Sequence, residues 1–180
     1  MRVRIENALG NCKYSQKCKC ETRDSFESLN AEEFFIYDEK DEGSENPVRI
    51  VDPGKKYQLT VKNENKKEIC LVKSDKCLFT DDTKKCDCLL FDNAIVYFIE
   101  IKTSSSSQRS KRRKDAREQL GTTINIFMEN SVDLSGYKLA AVICFSSMEP
   151  RIINSASNSA KATFYETYKV KLYEMNVVSF

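Results

Sequence analysis

Residues 86–127 read CDCLLFDNAIVYFIEIKTSSSSQRSKRRKDAREQLGTTINIF, and their pattern decides the fold class. Cys86–Phe91 and Ala94–Lys102 are two β-rich arms around Asp92–Asn93, which predicts a hairpin. The second arm, AIVYFIEIK, is almost continuously apolar until Glu100. Such a run marks a central strand buried on both faces, with its polar residues at the C-terminal end. Thr103–Ser110 is a Ser-rich loop, and a helix is expected from about Lys111 to Glu129. Within it Ala116, Leu120, Thr123 and Phe127 recur at helical spacing beside Ile124, giving one apolar face.

Working outward, Asp133–Gly136 reads as a turn and Tyr137–Phe145 as another fully apolar strand. A central strand that passes through a helix to a second apolar strand implies a βαβ crossover on a mixed sheet. Upstream, Tyr57–Lys62 alternates as a strand, and Ile69–Phe79 is β-rich with a break near Ser74–Asp75. Cys86 and Cys88, two apart in an extended arm, are expected on one face. Ala31–Tyr37 fits either a short helix or a strand, and residues 1–25 show no clear period. Downstream, Met148–Ala162 is polar, with room for a short helix, and Tyr168, Val170 and Leu172 alternate as a half-buried late strand. The expected class is α/β with a mixed central sheet and flanking helices. The expected division is a Cys-rich, acidic extension over residues 1–56, packed on a domain over 57–180.

The 180 residues suffice for one domain. Hydrophobic residues are 41% and charged residues 31%, with mean hydropathy −0.52, a soluble globular balance. No apolar run approaches the roughly 18 residues that span a bilayer, and the N-terminus has no apolar h-region, so a cytoplasmic protein without membrane partners is expected. There is no His, which excludes His-dependent triads, His-ligated zinc and HNH-type nuclease chemistry. Net charge is only +2, but it is unevenly spread. Glu27–Glu45 holds eight acids and one base, whereas Lys102–Arg117 holds seven bases and one acid. A basic block can neutralise phosphates, or it can be a solvated helix face. The eight cysteines include a Cys12/Cys18/Cys20 group without the paired spacing of a zinc knuckle. Cys144 lies in an apolar run, where a reduced thiol acts as a small hydrophobe.

The chemistry-bearing residues stand at the end of the central strand. Glu100 and Lys102 are two apart, so their side chains emerge on one face. Asp87, on the partner arm, falls roughly opposite Ile99–Glu100. Two acids with a backbone carbonyl form a hard oxygen set of the kind Mg²⁺ prefers. Charged groups at the end of a buried strand are costly unless paired or metal-bound, which is the physical reason to suspect function.

An Asp in one strand, an apolar strand running into Glu-x-Lys, a polar loop and a helix carrying Gln119-Leu120 together resemble the PD-(D/E)xK nuclease superfamily, with its restriction-endonuclease-like αβββαβ core. The resemblance rests on residues 86–127, about a quarter of the chain. It implies Asp87 and Glu100 as ligands of Mg²⁺ or Mn²⁺, with the Ile101 carbonyl beside them, and Lys102 by the attacking water. Gln119 resembles the glutamine that supports the site in some branches, where a Tyr follows four residues later; here that position is Thr123. Cys86 stands where the family has Pro. Arg109, Lys111, Arg112, Arg113 and Lys114 enter the helix directly after this motif, placed to contact nucleic acid. The resemblance therefore implies a metal-dependent nuclease acting on DNA or RNA, as a homodimer or within a protein complex of a defence or repair system. The alternatives are a catalytically inactive binding or regulatory subunit of the same fold and a Cys-based metal protein.

Overall fold

The computed structural model describes residues 1–12, 24–39, 46–79, 83–103, 108–145 and 158–180. In chain order the elements are α1 (Arg2–Leu9), β1 (Phe26–Leu29), β2 (Glu33–Tyr37), β3 (Arg49–Val51), β4 (Leu59–Lys62), β5 (Ile69–Lys73), β6 (Cys88–Phe91) and β7 (Ile95–Lys102). They continue with α2 (Arg109–Glu129), β8 (Lys138–Phe145), α3 (Asn158–Tyr168), β9 (Lys171–Glu174) and β10 (Val177–Ser179). The protein is mixed α/β. A six-stranded sheet has the order β1-β5-β6-β7-β8-β9, and a four-stranded sheet the order β10-β4-β2-β3.

The larger sheet is antiparallel from β1 to β7 and parallel from β7 to β9. The change follows from the connections. Asp92 closes a tight turn between β6 and β7, while α2 and α3 carry the chain back between parallel neighbours. The strands β7 and β8 pair over their full length, Ile95↔Lys138 to Lys102↔Phe145. Each is apolar on both faces because both faces are covered. Val96 and Phe98 of β7, with Ala141 and Ile143 of β8, pack in one core with Leu120, Ile124 and Phe127 of α2, Ile5 of α1 and Phe164 of α3. Ile99, Ile101, Val142 and Cys144 pack in a second core with Ile36, Leu59 and Val61 of the smaller sheet. Helices cover one face of the six-stranded sheet and four strands cover the other.

Several elements differ from expectation. Helix α1 has no strong apolar period to announce it, burying only Ile5 and Leu9. Ala31–Tyr37 resolves as strand β2, its Phe34 and Ile36 turned inward. Tyr168 ends α3 rather than opening a strand, and β9 begins at Lys171. Cys86 and Cys88 lie in different cores, not on one face. The chain bends at Asp87, whose carbonyl accepts from the amides of Ser74 and Asp75, so β6 starts only at Cys88. Residues 1–56 supply α1, β1, β2 and β3, so both sheets cross the boundary expected at residue 56.

Two contacts fix the frame locally. Gly121 lets α3 close on α2, since a Cβ there would lie 2.3 Å from the Tyr168 hydroxyl oxygen and 2.4 Å from its Cζ. The Tyr168 ring is held in turn by Phe164, with centroids 4.7 Å apart. In the β6–β7 turn, Asp92 Oδ1 accepts from the amides of Ala94 (2.7 Å) and Ile95 (2.8 Å), and its Oδ2 from Lys67 Nζ at 3.1 Å. Burial opposes ionisation of Asp92, but these three donors outweigh it and hold the carboxyl below its ordinary value of 3.8.

Gly121→Ala should lower stability by about 1–3 kcal/mol despite alanine's better helix propensity, because the ring must move; chemical denaturation measures this, and Tyr168→Leu in the same chain should recover part of the loss. Asp92 ionises more readily folded than unfolded, so its contribution is present above pH 3.8 and is lost as pH falls through the lowered folded value. Asp92→Ala should therefore cost about 1–3 kcal/mol at neutral pH, with a gap from the parent that narrows in acid denaturation curves.

Candidate active site

At the end of β7 two polar side chains of the strand meet a third from α2 in the helix-covered core. Glu100 is fully buried, Lys102 is 7% exposed and Gln119 of α2 is 6% exposed. Lys102 Nζ donates to Glu100 Oε1 and to Gln119 Oε1 at 2.7 Å. Gln119 Nε2 donates to the Lys85 carbonyl at 3.0 Å, tying the network to the segment that enters β6. An ion pair this deep is held against its desolvation cost only by such additional hydrogen bonds. The strand period that places Glu100 and Lys102 on one face, and the helix period that aims Gln119 at them, bring together three of the residues expected from the sequence.

Asp87 joins from β6's entry by another route. Its Oδ2 accepts the Ile101 amide at 2.6 Å. In the β6–β7 ladder Asp92 and Ile95 form a hydrogen-bonded pair, so by alternation the Ile101 amide faces the carbonyl position of Cys86. The carboxylate stands in for that backbone acceptor where the chain bends. Asp87 is 2% exposed and also lines a narrow pocket of about 10 Å³, with Asp38, Asp75, Lys76 and Asn46 on its walls. That is room for about one water-sized particle. The smaller sheet thus contributes Asp38, which sequence reasoning left in an acidic stretch. Its placement is firm: Asp38 and Gln58 exchange reciprocal amide hydrogen bonds of 2.8 Å. Only the pairing of β2 with β4 brings them together.

The donors Asp87, Glu100 and the Ile101 carbonyl suit a hard divalent cation in kind. In arrangement they are divided, with Glu100 engaged by Lys102 and Asp87 beside the pocket. Among the described residues no three His, Cys, Asp or Glu side chains form a group that could hold a metal ion.

Thr123, on the turn of α2 after Gln119, is a further member of the site. Its hydroxyl donates to the Gln119 carbonyl (3.0 Å) and accepts the Cys86 amide (2.8 Å). It thereby fixes the chain just before Asp87. In the sequence Thr123 stood out only as part of the apolar face and as the residue where some branches of the resembled family have Tyr.

The basic block divides. Arg113 donates through Nε and Nη2 to the buried Glu174 of β9, at 2.7 and 3.0 Å, and this pairing raises the guanidinium's already high pKa. Arg109 lies 4.0 Å from Glu174 and stacks over Phe145 at 4.6 Å. Both anchor the first turns of α2 to β8 and β9 instead of reaching outward. Lys111 and Lys114 are exposed and Arg112 is partly so.

Cys70, Cys86, Cys88 and Cys144 are buried and carry no disulfide. Burial pushes the Cys70 thiol to about 11. Burial, with the charges of Glu100 and Asp87, pushes Cys86 to about 12. Cys88 and Cys144 are raised as well, again chiefly by burial. Burial thus favours the protonated thiol at all four positions. Cys18 and Cys20 lie outside the described residues.

No family model, curated protein or solved structure matches the chain. Among the described residues no helix is long and apolar enough to cross a membrane.

Thr123→Val keeps the side-chain shape but leaves the buried Cys86 amide without its acceptor. It should cost about 1–3 kcal/mol, read by chemical denaturation, and should speed amide exchange at Cys86.

Proposed function

We propose that the protein is a metal-dependent nuclease that hydrolyses phosphodiester bonds in DNA or RNA. The observation that supports this best is the Lys102 ammonium, held between Glu100 and Gln119 at the buried end of the central strand. A carboxylate and a lysine are parts that a PD-(D/E)xK site uses together with an Asp, and a glutamine from the following helix supports the site in some branches; the packing of a plain α/β core does not call for them there. Asp87 and Glu100 would hold Mg²⁺ or Mn²⁺, with the Ile101 carbonyl as a third oxygen. A bound ion would polarise a phosphoryl oxygen and lower the pKa of its water. Lys102 offsets the repulsion of the two acids and orients the attacking water. Gln119 holds Lys102 in place, and Thr123 holds the segment that carries Asp87.

A second reading, a nuclease-fold subunit that binds without cleaving, draws on one specific observation: Lys102 already neutralises Glu100, and the acids are not gathered into an ion-holding group among the described residues.

Incubation with plasmid, single-stranded DNA and RNA, each with Mg²⁺, Mn²⁺ or EDTA, separates the two. The nuclease should cleave at least one substrate, only with metal. Asp87→Asn, Glu100→Gln and Lys102→Met should each lower the rate by roughly 10²–10³-fold while circular dichroism still reports a folded protein, the last two with lowered stability because each leaves a buried charge unpaired. Cleavage that survives all three changes, or proceeds in EDTA, would overturn the assignment. Binding without turnover on every substrate would favour the second reading.

A further inference from the structure

Helices α2 and α3 follow β7 and β8 in successive crossovers between parallel strands, so they run side by side in one direction. Both N-termini lie at the C-terminal edge of β7, β8 and β9, the edge that carries Glu100 and Lys102. The helices close on each other where Tyr168 meets Gly121. Toward their N-termini they leave a groove of about 410 Å³.

The groove's walls are specific in chemistry. Lys114, Arg117 and Glu118 line it from α2, and Ser159, Thr163 and Thr167 from α3. Lys114 and Arg117 make no ion pair among the described residues, while Glu118 lies 3.8 Å from Lys84. With two cations and one acid on its walls, the lining carries a net positive charge. Tyr168, partly exposed, is the aromatic face on its floor, backed by the buried Phe164. Cations that meet phosphate, hydroxyls that meet phosphate or sugar, and an aromatic surface that meets a base are together the features of a single-strand channel. A cleft of this volume accepts a ligand of small-molecule size, which suits one or two unstacked nucleotides.

We propose that the groove between α2 and α3 binds a segment of single-stranded nucleic acid, through Lys114, Arg117 and the α3 hydroxyls, and guides it to the sheet edge that carries Glu100 and Lys102. The proposal rests on the reading of the protein as one that acts on nucleic acid, and it adds strandedness and path. It also moves the binding surface from Arg109 and Arg113 to the next turns of α2, including Arg117.

Fluorescence anisotropy of labelled single-stranded oligonucleotides, measured in EDTA on the full chain, tests it without cleavage. Wild-type protein should bind the single strand more tightly than the same sequence as a duplex. Lys114→Gln with Arg117→Gln should weaken binding roughly tenfold at moderate salt and lower the slope of log affinity against log salt by about 1.4, two phosphates at ~0.7 each. Thr163→Ala with Thr167→Ala, which leaves the charge intact, should weaken binding without changing that slope. Undetectable single-strand binding by wild type, a preference for duplex, or full affinity in the Lys114/Arg117 variant would each overturn the proposal. Because no metal is present, these outcomes are independent of whether Asp87, Glu100 and Lys102 support cleavage.

Discussion

The Lys102 ammonium, buried between Glu100 and Gln119, is the constraint on which the rest of the site depends. An unpaired charge at that depth would cost several kcal/mol, so the end of β7 can be formed only with α2 seated over it and Gln119 turned inward. Gln119 in turn reaches the Lys85 carbonyl and, through Thr123, the Cys86 amide. The helix layer, the central strand and the entry to β6 are therefore set by one hydrogen-bonded chain. Glu174 performs a matching task at the same edge, level with Glu100 two strands away, where its grip on Arg113 fixes the first turns of α2.

Asp87 connects this layer to the opposite side of the sheet. It lines the pocket shared with Asp38 while its Oδ2 closes the last rung of the ladder. The four-stranded sheet thus does more than cover apolar surface: it holds Asp38 close to the bend, through the lock between Asp38 and Gln58.

Much of the frame was legible in the sequence because strong periodicity and tertiary burial agree there. The two apolar strands β7 and β8, the hairpin at Asp92 and the inward face of α2 are all set by local pattern. So was the shared face of Glu100 and Lys102, since a period of two fixes side-chain direction without knowledge of the fold; Gln119 was named only through the family resemblance. What could not be read depends on long-range pairing. Helix α1 buries two residues and has a weak period; β10 is three residues long and exists because β4 accepts it in parallel. The roles of Arg109 and Arg113 looked like solvent-facing charge because Glu174 lies some sixty residues away in the chain. The opposite facing of Cys86 and Cys88 follows from a bend imposed by Ser74 and Asp75, which no spacing rule for an extended strand contains.

The carboxylate that replaces a carbonyl at the end of the ladder also makes the Ile101 nitrogen a built-in sensor. Its proton is donated to Asp87, so any event that draws on that oxygen should change the nitrogen's chemical shift and its deuterium uptake. A single resonance on the central strand can therefore report the state of the pocket from within the protein's most protected layer.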